Sequence, residues 1–240
     1  MKRFSFALAA AVLVAAPLSA QTTFSGQTLT PGGSVGGAAL AARTSFLGAL
    51  SSGVASNDFE ALTPGATAPQ VLNFGFAGNA TLNGSGSVAN SPNAGRIATS
   101  GSQYWSQIVG PSNAFSITFS QAVAGFGFYG TDIGDFNGRL TLEFFSGASL
   151  VNSFLVQDGD LSGDYRSELD GNLLFWGVLY GSNSFDRVNF LLEGDTDIFG
   201  FDDMTVADAS EVIGVPEPGS VALLLSGLAG LGLVARRRRA

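Results

Sequence analysis

Apolar and polar residues alternate along this chain with two distinct periods. Residues 38–50, "AALAARTSFLGAL", set Leu40 and Leu47 seven apart and Phe46 and Leu50 four apart. That is the stripe of an amphipathic helix, with Gly53 as its stop. From residue 57 onward the period falls to two. In "AFSITF" (114–119), Phe115, Ile117 and Phe119 share one face. Over 140–144, Leu140, Leu142 and Phe144 alternate with Thr141 and Glu143. Residues 57–62, 71–76, 81–88, 97–108, 123–129, 151–156, 173–180, 188–192 and 198–206 read as further short strands. Gly, Asn and Ser clusters and a Pro64-Gly65 turn separate them. Residues 21–37 are rich in Gly, Thr and Ser and show little periodicity. Many short strands joined by turns predict an antiparallel sandwich or barrel. No repeat period indicates a solenoid or propeller.

The two ends break this pattern. Residues 1–20 open with Lys2 and Arg3, continue with an apolar run over 4–16 and finish on the small residues Ser19 and Ala20. This is the layout of a secretory signal peptide cut after Ala20, and the run is short for a permanent anchor. At the other end, residues 221–235 are apolar or small apart from Ser226, and Arg236, Arg237, Arg238 and Arg239 follow. Counted from Ser220, 16 helical residues span about 24 Å against about 30 Å of hydrocarbon. Snorkelling arginines and local thinning close that gap. The arginines are expected on the cytoplasmic side, which places the preceding chain in the periplasm. Pro216 and Pro218 keep the segment before the helix extended and without amide donors, a form that suits a strand-binding protease.

Setting the ends aside changes the charge. They hold six of the 11 basic residues, and residues 21–215 keep five arginines against 18 acids, a net charge of −13. Such a body repels phosphate backbones, so nucleic acid is not an expected partner. It attracts cations, although acidity also serves solubility. The chain has no Cys and no His. Disulfides, thiol nucleophiles, Cys/His metal sites and His-based catalysis, the Ser-His-Asp triad included, are therefore excluded. An exported chain of 240 residues without disulfides must be held by its core, and this length can bury one.

Val215, Pro216, Glu217 and Pro218, then a short apolar helix, then the arginine cluster, resemble the PEP-CTERM sorting signal of Gram-negative bacteria. The resemblance covers about the last 25 residues. It implies that Val215 to Pro218 are the recognition motif and that an exosortase-type membrane enzyme is the processing partner. It further implies a transient stay in the inner membrane with the C-terminus cytoplasmic, then delivery to the cell surface or extracellular matrix. Exopolysaccharide and biofilm are the usual associations. "DFEAL", "FSITFSQAVAGFGFYGTD" and "FGFDDMTV" resemble the β-sandwich body of many such proteins, itself similar to lectin-like and carbohydrate-binding jelly rolls. The expected fold is thus mainly β, an antiparallel jelly-roll-like sandwich with one short N-terminal helix. The expected organisation is a signal peptide (1–20), a lead-in with the helix (21–56), the sandwich (57–209) and the sorting signal (210–240). Within the last, 215–218 are the motif, 219–235 the transmembrane helix and 236–240 the basic tail. In such folds the last strand commonly lies beside an early one, which would set Asp202 and Asp203 near Asp58 and Glu60.

Sixteen of the 18 acids in 21–215 fall between Asp132 and Glu211. "TDIGDF" carries Asp132 and Asp135, "DGDLSGD" carries Asp158, Asp160 and Asp164, and "GDTDIFGFDD" carries Asp195, Asp197, Asp202 and Asp203. Carboxylates on turning loops suit calcium, which takes about six to eight oxygen ligands. Calcium is accordingly the candidate cofactor. One candidate site is Asp158, Asp160 and Asp164, which lack EF-hand spacing and read more simply as turn aspartates. The other joins Asp58 or Glu60 to Asp202 or Asp203. Trp105, between Tyr104 and the polar Ser106 and Gln107, is the candidate sugar-stacking platform, with Tyr104 beside it. "FWGVLY" reads instead as a buried strand, and the 20 phenylalanines as core.

Three functions fit these residues. The first is a non-catalytic structural or adhesive protein of the cell surface or matrix. The second is a calcium-dependent carbohydrate-binding module. The third is a glycoside hydrolase working with carboxylates alone. The third is the weakest, because the acids sit mainly in Gly-rich loops and Glu143, on an alternating strand, faces away from its apolar side.

Overall fold

The computed structural model describes residues 21–29, 34–110, 115–135, 138–157, 169–193 and 197–213. In chain order the elements are β1 (Gln21–Thr28), α1 (Gly37–Gly48), β2 (Ser56–Asn57), β3 (Gln70–Asn73), β4 (Asn79–Asn83), β5 (Ser87–Ala89) and β6 (Tyr104–Ile108). They continue as β7 (Phe115–Val123), β8 (Gly125–Thr131), β9 (Arg139–Ser146), β10 (Ser149–Gln157), β11 (Leu173–Tyr180), β12 (Phe185–Glu193) and β13 (Ile198–Ala207). One sheet runs β1-β11-β8-β13-β6-β5 with β2 beside β13, and the other runs β10-β9-β12-β7-β4-β3. Every pairing is antiparallel. The expected β-sandwich with one N-terminal helix is the fold.

Alternation explains most of the packing. Phe115, Ile117 and Phe119 of β7 face inward, as do Leu140, Leu142 and Phe144 of β9. They meet a phenylalanine-rich layer from the first sheet. Phe115 lies 5.1 Å from Phe201 of β13 between ring centres, and Phe128 of β8 packs on Phe190 of β12. Strand β11 does not alternate, because both its faces are covered. Leu174, Trp176, Val178 and Tyr180 enter the core between the sheets. Leu173, Phe175 and Leu179 point the other way, under α1. A strand covered on both sides reads as a continuous apolar run, which is how "LLFWGVLY" stands in the sequence.

Phe46 and Leu50 of the expected stripe are buried, but Leu40 is not. Ala39, Ala42 and Phe46 face the sheet, while Leu40 is 43% exposed. Small residues are required because α1 lies close on β1. A Cβ on Gly26 would stand 2.2 Å from the Ala38 carbonyl oxygen. Leucine at that distance would hold the helix off.

Several strand boundaries also differ. Residues 21–28, which show little periodicity, form β1, paired along their full length with β11. Their backbone pairing, rather than a row of apolar side chains, makes them a strand. The stretch 97–108 is strand only at β6, and 81–88 divides into the end of β4, a turn and β5. In 57–62 the chain turns at Phe59, which takes a positive φ of 61°, so strand pairing stops at Asn57.

The described chain ends firmly. Asp208 and Glu211 form a capping box around a single 3₁₀ turn, Ala209–Glu211. The Ser51 amide donates to the Glu211 carbonyl at 2.7 Å, and the Ile213 amide donates to the Ala49 carbonyl at 3.0 Å. The last described residue is thereby stitched to the end of α1. The signal peptide and the transmembrane helix lie outside the described residues.

Candidate acidic centre

Two groups of carboxylates sit on the loops around β13. The first holds the connection between β5 and β6. The amides of Thr99 and Ser100 donate to Asp202 Oδ2 at 2.6 and 3.2 Å, and the Thr99 hydroxyl donates to the same oxygen at 2.9 Å. The Ser100 hydroxyl donates to Asp203 Oδ1 at 2.9 Å. A few residues on, the Ser102 amide donates to Glu60 Oε1 at 2.6 Å, and the Gln103 side chain donates to the Glu60 carbonyl at 3.1 Å. Asp58 accepts from the Glu60 amide at 3.2 Å, as turn aspartates do. β13 lies beside β2, with Met204 opposite Asn57, so the last strand does neighbour an early one.

This topology brings Asp58, Glu60, Asp202 and Asp203 to one loop, where Glu60 and Asp202 accept protein donors and clamp it. Burial pushes the Asp202 carboxyl up to about 7, against the Thr99 amide, which favours its ionised form. The Ser102 amide holds exposed Glu60 below its usual value. Asp203 sits where the β8–β13 register slips, at a φ of 48°, and Arg43 reaches its carboxylate at 3.7 Å.

The second group forms where β8 ends. Asp132 follows Thr131 with a φ of 60°, a left-handed backbone that a non-glycine residue keeps only when its surroundings hold it. Asn172 supplies that hold. Its side chain accepts from the Ile133 amide at 2.9 Å and donates to the Ile133 carbonyl at 2.8 Å, while its carbonyl accepts from the Asp132 amide at 3.1 Å. Asp132 Oδ1 accepts from the Gly171 amide at 2.9 Å, and Oδ2 lies 3.4 Å from Arg96 Nη1. Arg96 also donates to the Ile198 carbonyl at 3.2 Å, tying this loop to the start of β13.

Asp135 is buried beside Asp132, and Asp170 is exposed. One oxygen from each of Asp132, Asp135 and Asp170 lies within 4.8 Å of the others. From β13 comes Asp197, 7% exposed, whose Oδ1 accepts from the Ile198 amide at 2.6 Å. Its carboxyl meets that of Asp135. Burial pushes Asp132 up to about 7, and the neighbouring Asp135 charge adds to the rise. Asp197 is raised above the ordinary carboxylate range by burial and then by Asp135.

The stacking platform expected at Trp105 and Tyr104 is not present. Trp105 is 0% and Tyr104 1% exposed. Trp105 packs near Phe59 in the inter-sheet core, with its indole N–H donating to Gln107 Oε1 at 3.1 Å, and Tyr104 donates its hydroxyl to the Ser91 carbonyl at 3.1 Å. Polar Gln107, which suggested a wet surface, is the buried partner of the indole. Asp158, Asp160 and Asp164 lie outside the described residues, as do Val215 to Pro218 and Arg236 to Arg239. The sequence reading did not assemble the second carboxylate group. Asp132 and Asp135 share a segment, but two strands separate them along the chain from Asp170 and four from Asp197.

No curated protein matches the chain in sequence. Among solved structures it is similar to the K2 cleaved adhesin domain of Lys-gingipain, at 13% identity, covering 65% of this chain and 98% of that one with a TM-score of 0.43. It is also similar to the C-terminal family 22 carbohydrate binding module of Clostridium thermocellum Xyn10B, at 17% identity, covering 66% and 96% with a TM-score of 0.35. A family model described as the PEP-CTERM protein-sorting motif matches residues 214–239. The chain therefore carries a PEP-CTERM sorting signal, the mark of an exported protein whose C-terminal membrane anchor is processed by an exosortase.

Proposed function

We propose that this is a non-catalytic structural or adhesive protein, delivered by exosortase-type processing to the cell surface or the exopolysaccharide matrix. The observation that carries this reading is the sorting signal at 214–239, set behind a strongly acidic, cysteine-free sandwich. In the precursor, residues 219–235 span the inner membrane and Arg236 to Arg239 remain cytoplasmic. Val215 to Pro218 present the extended recognition segment outside. Removal of the anchor leaves a body of high negative charge, which suits a hydrated matrix and resists self-association.

Mass spectrometry of protein released from the cell surface tests the route. The expected mature chain lacks Arg239, and a mature chain that retains it overturns the reading. Fractionation tests the place: the protein should partition with matrix polysaccharide rather than with the inner membrane.

A second reading, a calcium-dependent carbohydrate-binding module, is favoured by the carboxylates gathered on the loops at the end of β8 and the start of β13. With Trp105 and Tyr104 buried, a sugar would have to bind through other side chains. Pull-down on host polysaccharide with and without a calcium chelator separates the two readings.

A further inference from the structure

We propose that Asp132, Asp135, Asp170 and Asp197 form a binding site for one divalent cation, calcium by its ligand chemistry. Oxygens on opposite sides of a calcium ion stand about 5 Å apart, twice the Ca–O distance. The carboxylate oxygens of Asp132, Asp135 and Asp170 all lie within 4.8 Å of one another. Two loops supply them, the exit of β8 and the turn before β11, and the entry to β13 sets Asp197 against Asp135.

A separate observation points to a ligand. Asp197 is more than nine-tenths buried, yet its Oδ2 has no hydrogen-bond partner. That carboxyl is directed at Asp135, with the charge of Asp132 also acting on it. Two buried carboxyls in contact are favoured by something positive between them, either a shared proton or a cation. Arg96 offsets the charge of Asp132 at 3.4 Å and also serves the Ile198 carbonyl. Several carboxylates around one point favour calcium over magnesium, which keeps most of its waters and takes one or two carboxylates.

The site differs from both sites expected from the sequence. At Glu60 and Asp202 the carboxylates are engaged by amide and hydroxyl donors. At the proposed site, Asp197 Oδ2 still awaits a partner.

The test is calcium titration of the full chain in detergent, read by calorimetry and thermal melting. One ion per chain is expected, with a dissociation constant of about 0.1–1 mM, the range of extracellular modules. At saturating calcium the melting temperature should rise by about 3–10 °C. Asp170 is exposed, so Asp170→Asn should fold normally and weaken binding about tenfold or more. Asp58→Asn, in the other carboxylate group, should leave binding unchanged. No shift at about 10 mM calcium overturns the site and leaves a shared proton between Asp135 and Asp197. Binding that survives Asp170→Asn but is lost in Asp58→Asn also overturns it. An equal response to magnesium overturns the assignment to calcium.

Discussion

Gly127 and Gly177 stand directly opposite one another on β8 and β11, and together they make the floor on which the Phe46 ring rests. A Cβ on Gly177 would lie 2.8 Å from the Phe46 ring and one on Gly127 3.1 Å from it. The pair therefore sets how closely α1 docks. Gly177→Ala should push the ring outward and destabilise the fold by about 1–3 kcal/mol. Gly26→Ala should cost more, because its new methyl would meet the Ala38 backbone rather than a movable side chain. Urea unfolding of the two variants checks the order, and equal midpoints for both and the wild type would refute the docking model.

Asp202 gives a pH dependence whose sign follows from its environment. Burial raises its carboxyl to about 7, so the folded state prefers the protonated form. The stability contributed is complete below the unfolded value of about 4 and is lost as pH rises through about 7. Asp202→Asn cannot ionise. The advantage of wild type over this variant should therefore shrink between about pH 4 and about pH 7, measured by urea unfolding with chelator present. A constant difference means that Asp202 is ionised throughout.

Glu60 acts locally. Its carboxylate accepts the Ser102 amide at 2.6 Å and so fixes the chain just before β6. In Glu60→Ala, hydrogen exchange at the Ser102 and Gln103 amides should accelerate at least about tenfold, while amides of β11 keep their protection. Uniform acceleration across both regions would indicate global destabilisation instead.

Both tryptophans are buried, Trp105 at 0% and Trp176 at 4% exposure. Native emission should be blue-shifted, and iodide should quench it weakly until the protein unfolds. Trp105→Ala should cost about 3–5 kcal/mol as a core truncation. Strong quenching in the native state would return Trp105 to the surface.

How far the sequence reached depends on what made each element. Strand β11 was legible end to end, since seven apolar residues interrupted only by Gly177 have few other uses. Strands β7 and β9 were legible because one wet face leaves a strict alternation. Strand β1 was not, because its order comes from the ladder it makes with β11 and Phe24 is its one large apolar side chain. The segment before β6 looked like strand but is a loop tied down by Asp202 and Glu60. Trp105 misled for a related reason: its polar neighbour Gln107 is itself buried, and no local pattern announces a private hydrogen bond in a core. For the acidic centre, Asp132 and Asp135 lay in plain view. Asp170 and Asp197 join them through the crossing order of β8, β11 and β13, a property of topology rather than of spacing.

The stitch between Ile213 and Ala49 sets the length of a leash. Gly214 alone separates Ile213 from Val215, so the recognition motif begins within about 7 Å of chain from the folded body. On the proposed route, a span beginning at residue 219 would hold the sandwich close to the bilayer surface before processing. The processing enzyme would then meet its motif between the folded body and the lipid, and a cut within the motif would leave the new end only a few residues from the stitch to α1.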